Sequence, residues 1–121
     1  MIKYLIILVI GGNKVLVRKR RFGGKEWEFV ERILGHNENW SDATFSYATS
    51  NFDSSEIEEI KKFGGHEFEE TGDIEEFWII KLKGIPKLPR SLLYKYDWVG
   101  AEDDREYGPE VLYYIKKYFG L

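Results

Sequence analysis

The sequence predicts an α+β protein forming one domain over residues 1–121, and three observations carry that reading. A β-branched run, Ile2 to Ile10, opens the chain. An aromatic and aliphatic run, Ile74 to Lys83, follows past the middle. Near the end, Val111, Leu112, Ile115, Tyr118 and Phe119 repeat at the three- and four-residue spacing of a helix face.

Each element has a local reason. Ile2 to Ile10 reads as a buried strand, since β-branched side chains suit a pleated surface. Gly11, Gly12, Asn13 and Lys14 then supply the positive φ values a hairpin needs. Val15, Leu16 and Val17 start the return strand, which ends in Arg18, Lys19, Arg20 and Arg21; Gly23-Gly24 breaks it. Trp27 to Val30 is a short extended piece, and residues 31 to 40 read as a loop. Ser41 suits a helix N-cap, with Asp42 in the first turn. Phe45, Ala48 and Phe52 would line the inward face, with Ala43 nearby, of a helix ending about Asn51. Its many Ser, Thr and Asn residues make it dependent on tertiary packing. Ile57 to Phe63, Gly64-Gly65 and His66 to Glu70 read as a hairpin or a bulged strand pair. Ile74 to Lys83 is expected to be the longest strand. Pro86 and Pro89 mark a loop, Tyr94 to Val99 a last strand, and Pro109 the first turn of the closing helix.

Composition excludes several classes of function. A 43% hydrophobic and 17% aromatic content supports a packed core. The net charge of −3, from 18 basic and 21 acidic residues, gives no bulk drive towards nucleic acid, and no nucleic-acid partner is expected. With no cysteine, disulfides, thiolate nucleophiles and cysteine-ligated zinc are excluded. The opening apolar run falls short of the roughly 20 residues of a membrane span and lacks a cleavage site. A cytoplasmic protein with no membrane partner is expected.

Several words of this sequence, in this order, resemble the Nudix family. They are Val15 to Arg20, then Trp27-Glu28-Phe29, the late Tyr96 to Asp103, and a C-terminal helix. The resemblance covers nearly the whole chain. It implies a Nudix-like α/β/α sandwich, a mixed β-sheet flanked by the box helix and the C-terminal helix. In the family, glutamates of the box G-x5-E-x7-R-E-U-x-E-E-x-G-U hold a divalent metal against a diphosphate, so that water attacks phosphorus. Laid on this chain without gaps, the box starts at Arg32 and its first glutamate is Glu38. The Arg-Glu pair then falls on Ser46 and Tyr47, the Glu-Glu pair on Ser50 and Asn51, and the closing glycine on Asp53. The Pro-Gly-Gly positions carry Val30, Glu31 and Arg32. Neutral oxygens replace the charge that would localise Mg²⁺. No metal is expected by the family mechanism, and Mg²⁺ or Mn²⁺ enters only if the protein is active.

Other carboxylates are candidates. Glu38 is a catalytic or metal ligand on the box pattern, or a loop and capping group. Glu102, with Asp103 and Asp104, lies where some family members place a catalytic base; the alternative is first-turn acids of a short helix. Glu67, Glu69, Glu70, Glu75 and Glu76 read as a solvated sheet face, His66 as a structural histidine, and His36 as a surface one or a phosphate contact. For a ligand, one parity of the basic strand faces a cleft, Arg18 with Arg20 or Lys19 with Arg21. Phe22, Trp27, Trp40 and Tyr4 are the rings that would stack on a base or sugar, or else pack in the core.

Three functions follow. The leading one is a Nudix-fold protein with a degenerate box that binds a nucleotide or nucleoside diphosphate-linked ligand. The second is an active hydrolase of such compounds using carboxylates outside the box. The third is a structural or protein-interaction module, for which a homodimer is the expected partner.

Overall fold

Residues 1–120 are described in a computed structural model. One mixed sheet runs in the order β4-β5-β1-β2-β6, with β3 paired to β1. β1 (Lys3–Gly11) lies at its centre and is buried on both faces. It pairs in parallel with β5 (Ile74–Leu82) along its whole length, from Lys3 opposite Ile74 to Gly11 opposite Leu82. A strand covered on both sides needs a continuous apolar run, which both segments have.

A two-residue turn leads from β1 into β2 (Lys14–Arg20). Only Gly12 adopts a positive φ there, 59°, so Gly11 and Asn13 do not use the left-handed freedom expected of them. Beyond Ile10–Val15 and Gly11–Lys14 the two strands part, and β2 pairs instead with β6 (Tyr94–Val99), a strand whose bounds agree with the sequence reading. The freed edge of β1 takes β3 (Val30–Ile33), with Val30 opposite Ile7 and Ile33 opposite Tyr4. The expected loop over residues 31 to 40 is therefore corrected at its start. Only Val30 of this strand is buried, so apolar alternation could not mark it, yet the backbone groups of β1 need a partner there.

β4 (Ile57–Glu67) is a single strand, antiparallel to β5 and the longest at 11 residues, rather than a hairpin. Register shifts at Ile57/Glu59 and Lys62/Gly64 mark its irregularities.

α1 (Trp40–Asn51) is capped by Asn39, not Ser41: the Asn39 Oδ1 accepts from the Asp42 N–H at 2.8 Å. Its inward stripe is Trp40, Ala43, Thr44, Tyr47 and Ala48, while Phe45 is 58% exposed. Phe52 reaches the core because its extended backbone (φ −133°) leaves the helix, so it does not share a helical face with Phe45. α2 (Val111–Phe119) begins after Pro109 and after Glu110, which holds φ 71°. Val111, Tyr114, Ile115 and Tyr118 face inward, and Leu112 is exposed.

The sheet separates two clusters. Leu5, Ile7, Val9, Leu16 and Ile80 pack under α1. Ile6, Leu8, Val15, Val17 and Ile79 pack under α2. The result is a three-layer α/β/α sandwich. Among the described residues no helix is long and apolar enough to cross a membrane.

Candidate functional site

Strand register builds a cavity of about 200 Å³ on the α2 side of the sheet. Parallel pairing sets Ile6 beside Phe77, and antiparallel pairing sets Ile6 beside Glu31. Phe29 enters from the segment before β3, and Gly108, Pro109, Glu110 and Val111 close the side at the start of α2. The floor is thus apolar (Ile6, Phe29, Phe77, Val111), and the walls carry Glu26, Glu28, Glu31, Glu75 and Glu110.

This wall is poorly compensated. Glu31 is exposed as a residue, but partial desolvation of its carboxyl in the cavity wall pushes it above its ordinary range; Glu28 adds to the rise and Arg18 opposes it. Burial does the same for Glu75, with Glu110 and Glu31 adding and His66 opposing. Glu75 Oε1 is buried without a hydrogen bond, and the His66 Nδ1 stands 3.7 Å away. The expected solvated sheet face holds for Glu67, Glu69 and Glu70, which are exposed, but not for Glu75 or Glu76. Glu76 is 14% exposed, accepts from the Trp78 Nε1–H at 3.0 Å and lies 3.5 Å from Lys62 Nζ.

Two wider clefts continue from the cavity. One, about 430 Å³, shares Glu31 and Glu75 and adds Tyr4 and Phe68. The other, about 350 Å³, shares Glu26 and Glu28 and adds Arg20, Gly23, Gly24 and Lys25. An apolar floor and an acceptor-rich wall therefore adjoin an outlet of mixed charge, where Arg20 and Lys25 stand with Glu26, Glu28 and Glu106. Carboxylates there can accept hydrogen bonds from an N–H edge, and the outlet cations can meet an anionic tail.

The predicted residues divide between this region and elsewhere. Arg18 and Arg20 share the α1 parity of β2, with Tyr96 and Tyr94 as their cross-strand partners. Arg18 is sequestered: its side chain is 11% exposed, its Nη2–H donates to the Glu31 carbonyl at 3.1 Å, and its Cζ sits 4.0 Å from the Tyr94 ring centre. Its Nε is 3.8 Å from Glu28 Oε1 and makes no hydrogen bond. Arg20 is exposed at the outlet, and Phe22 projects beyond it. Trp27 lies on the other face, between Lys19 Nζ (5.0 Å) and Arg105 Cζ (4.7 Å). Its backbone bonds to Glu106 and Gly108, so it positions the lip of the cavity. Trp40 packs on the core under α1.

Glu38 is committed to its own loop. One carboxylate oxygen accepts from the Gly35 N–H at 3.0 Å and the other pairs with Arg32. Residues 102–104 form no helix, which corrects that alternative. Glu102 is exposed, and Asp103 is held below the usual carboxylate range by hydrogen bonds from Arg105, which also binds Asp97 at 2.8 Å. His36 and His66 are both exposed.

On α1, Ser46, Ser50 and Asn51 are exposed, and the Asn51 amide donates back to the Tyr47 carbonyl. Tyr47 turns onto the sheet near Arg18 and Tyr96. Burial raises its hydroxyl above the ordinary range, Tyr96 adding to the rise, and that hydroxyl has no hydrogen-bond partner. These neutral groups do not fit a divalent ion. Among the described residues, no three His, Cys, Asp or Glu side chains could hold a metal together.

Glu31, Glu75, Phe29, Phe77 and Glu110 were not singled out from sequence as one site. They lie up to 81 positions apart (Phe29 to Glu110), and only strand register brings them together.

No protein-family model matches the chain, and no curated protein matches it by sequence. Solved structures do match. A NUDIX family hydrolase from Clostridium perfringens superposes with a TM-score of 0.65 at 11% identity, covering 95% of this chain and 93% of that one. MutT, described for Aliivibrio salmonicida and Vibrio cholerae, gives 0.64 at 19% identity over 98% and 95%. A NUDIX hydrolase from Nitrosomonas europaea gives 0.62 at 14% identity over 98% and 70%. Such identities carry the fold and nothing finer. With its mixed sheet between a box-type helix and a C-terminal helix, this chain has a Nudix-like fold.

Proposed function

We propose that this protein binds a nucleotide-type ligand in the cavity under α2 and hydrolyses it weakly or not at all. One observation carries the reading. The helix positions that would hold carboxylates carry Tyr47, Ser50 and Asn51, while an apolar, acceptor-lined cavity stands intact on the other face. A base with N–H donors on one edge would lie on Phe29 and Phe77 and donate to Glu31 or Glu75. Its phosphates would leave past Glu26 and Glu28 towards Arg20 and Lys25. The Nudix hydrolases among the structural neighbours make nucleoside diphosphate compounds the first class to try.

The test is a thermal-shift screen of nucleotides, dinucleotides and nucleotide-sugars, in EDTA and in Mg²⁺. A bound ligand raises Tm by mass action, and about 2.7 kcal/mol is expected at a hundredfold excess over Kd. The shift should survive EDTA and shrink in Glu75→Gln and Arg20→Ala. Metal-dependent turnover abolished by Glu38→Gln would defeat the inactive reading.

A second reading has its own support. Glu28, Glu31 and Glu75 outside the box line one cavity, although they do not converge on a common point among the described residues, so the ion would have to draw them together. If Mn²⁺-dependent phosphate release appears and Glu75→Gln abolishes it, the protein is a hydrolase with a displaced site.

A further inference from the structure

Charge in this chain is segregated. Residues 14–25 hold six of its 18 lysines and arginines and residues 81–96 hold five, and neither stretch contains any of its 21 acidic residues. The fold brings Arg90 and Lys95 of the second stretch beside the first, because β2 pairs with the outermost strand β6 from Val15–Val99 to Arg20–Tyr94, while Lys81 lies on β5 and pairs with Glu58. A molecule of net charge −3 therefore carries a local group of exposed cations, Arg20, Arg21, Arg90 and Lys95, at the Arg20–Tyr94 end of this edge.

At the end of that edge, apolar side chains stand in water. Leu92 is 90% exposed, Phe22 87% and Leu93 70%. They are not on a loose loop. The Arg21 N–H donates to the Leu93 carbonyl at 2.9 Å and its Nε–H to the Ser91 carbonyl at 3.1 Å. The Ser91 hydroxyl in turn accepts from the Leu93 and Tyr94 N–H groups. Two tight turns are thus fastened side by side, with three apolar tips pointing outward. Arg20, Arg90 and Lys95 surround them, and among the described residues none of the three lies within ion-pair distance of a carboxylate. Leu88 and Ile85 extend the apolar line along the loop that leads back to β5.

We propose that this edge docks on an anionic phospholipid surface, with Phe22, Leu92 and Leu93 entering the headgroup region and Arg20, Arg90 and Lys95 meeting lipid phosphates. Charge complementarity requires an anionic partner. The shape favours a bilayer, because protruding tips need a partner that yields around them. Two of the three tips are aliphatic and cannot stack on bases, which disfavours a nucleic acid. The expectation of no membrane partner rested on the lack of a spanning segment, and a surface contact needs none. The inference shares Arg20 with the outlet of the cavity under α2, and its test therefore uses Arg90, Lys95, Leu92 and Leu93, none of which lines that cavity or its outlet.

The experiment is vesicle co-sedimentation of the full chain on phosphatidylcholine, with and without phosphatidylserine, across a salt series. Partitioning should be about tenfold or more stronger on the phosphatidylserine vesicles and should fall with salt. Arg90→Glu with Lys95→Glu should abolish that preference. Leu92→Ser with Leu93→Ser should weaken binding by about tenfold, at unchanged melting temperature, with the salt slope kept. Equal binding to both vesicle types overturns the proposal, as does wild-type binding by the leucine variant. Single-stranded RNA displacing the protein from vesicles at lower phosphate concentration would assign the edge to nucleic acid instead. A dimer in sedimentation velocity that the leucine variant dissolves would assign it to a second copy.

Discussion

Glu75 shows how one side chain is set by its surroundings. Burial and the neighbouring Glu110 and Glu31 raise its pKa from 4.5, so the folded state holds the proton more tightly than the unfolded one. The associated stability is present below that ordinary value and is lost as pH rises through the folded one. Glu75→Gln should therefore raise Tm at pH 7 and lose its advantage near pH 4, read by thermal melts across that range. Asp103 works in the opposite sense. Arg105 lowers its pKa, so its contribution stands at neutral pH and fades as acid protonates it. Tyr47 carries a buried hydroxyl without a partner. Removing an unsatisfied group relieves its desolvation, so Tyr47→Phe is expected to be neutral or stabilising by about 1 kcal/mol in urea unfolding. Asn39→Ala removes the cap that α1 has and should cost about 1 kcal/mol by the same measurement.

Elements that announce themselves locally were legible, and those recruited by a neighbour were not. Tyr94 to Val99 alternates and lies between turn residues, and it forms β6 with those bounds. Residues Val30–Ile33 carry two charges and one buried side chain, and they form β3 because β2 leaves the edge of β1 open. The two glycines of β4 read equally as a turn or as a bulge, and spatial crowding decides between them. A Cβ on Gly65 would meet the Glu75 carbonyl oxygen at 2.7 Å, so the strand continues only because the side chain is absent. Gly65→Ala should destabilise by about 1–3 kcal/mol through forced backbone displacement, with a lower urea midpoint at unchanged slope. The stripe of α1 was misplaced at Phe45 because Phe52 was counted as helical, whereas it lies past the last helical turn.

At the scale of the molecule, the sheet separates two chemistries. Its α1 face carries a helix whose one carboxylate, Asp42, lies in the first turn by the cap, and its α2 face carries a cavity with five of them. Because no described trio of ligands converges, Mg²⁺ should shift Tm no further than NaCl of equal ionic strength, measured on protein first stripped with EDTA. A larger shift would show a divalent site. The cation group at the edge of β2 and β6 is a third region, sharing Arg20 with the outlet of the cavity.

The sequence by itself determined the periodic elements and the residue types along them, including the neutral Tyr47, Ser50 and Asn51 of α1. These are statements about neighbours in the chain, and side-chain period and residue type record them directly. Only the tertiary structure decided which carboxylates face a cavity, that Arg18 turns inward, and that Arg90 and Lys95 stand at the edge that β2 and β6 form. Those outcomes depend on the parallel register of β1 with β5 and the divergence of β2 from β1. Register is set by packing summed over the whole sheet, and no single segment contains it.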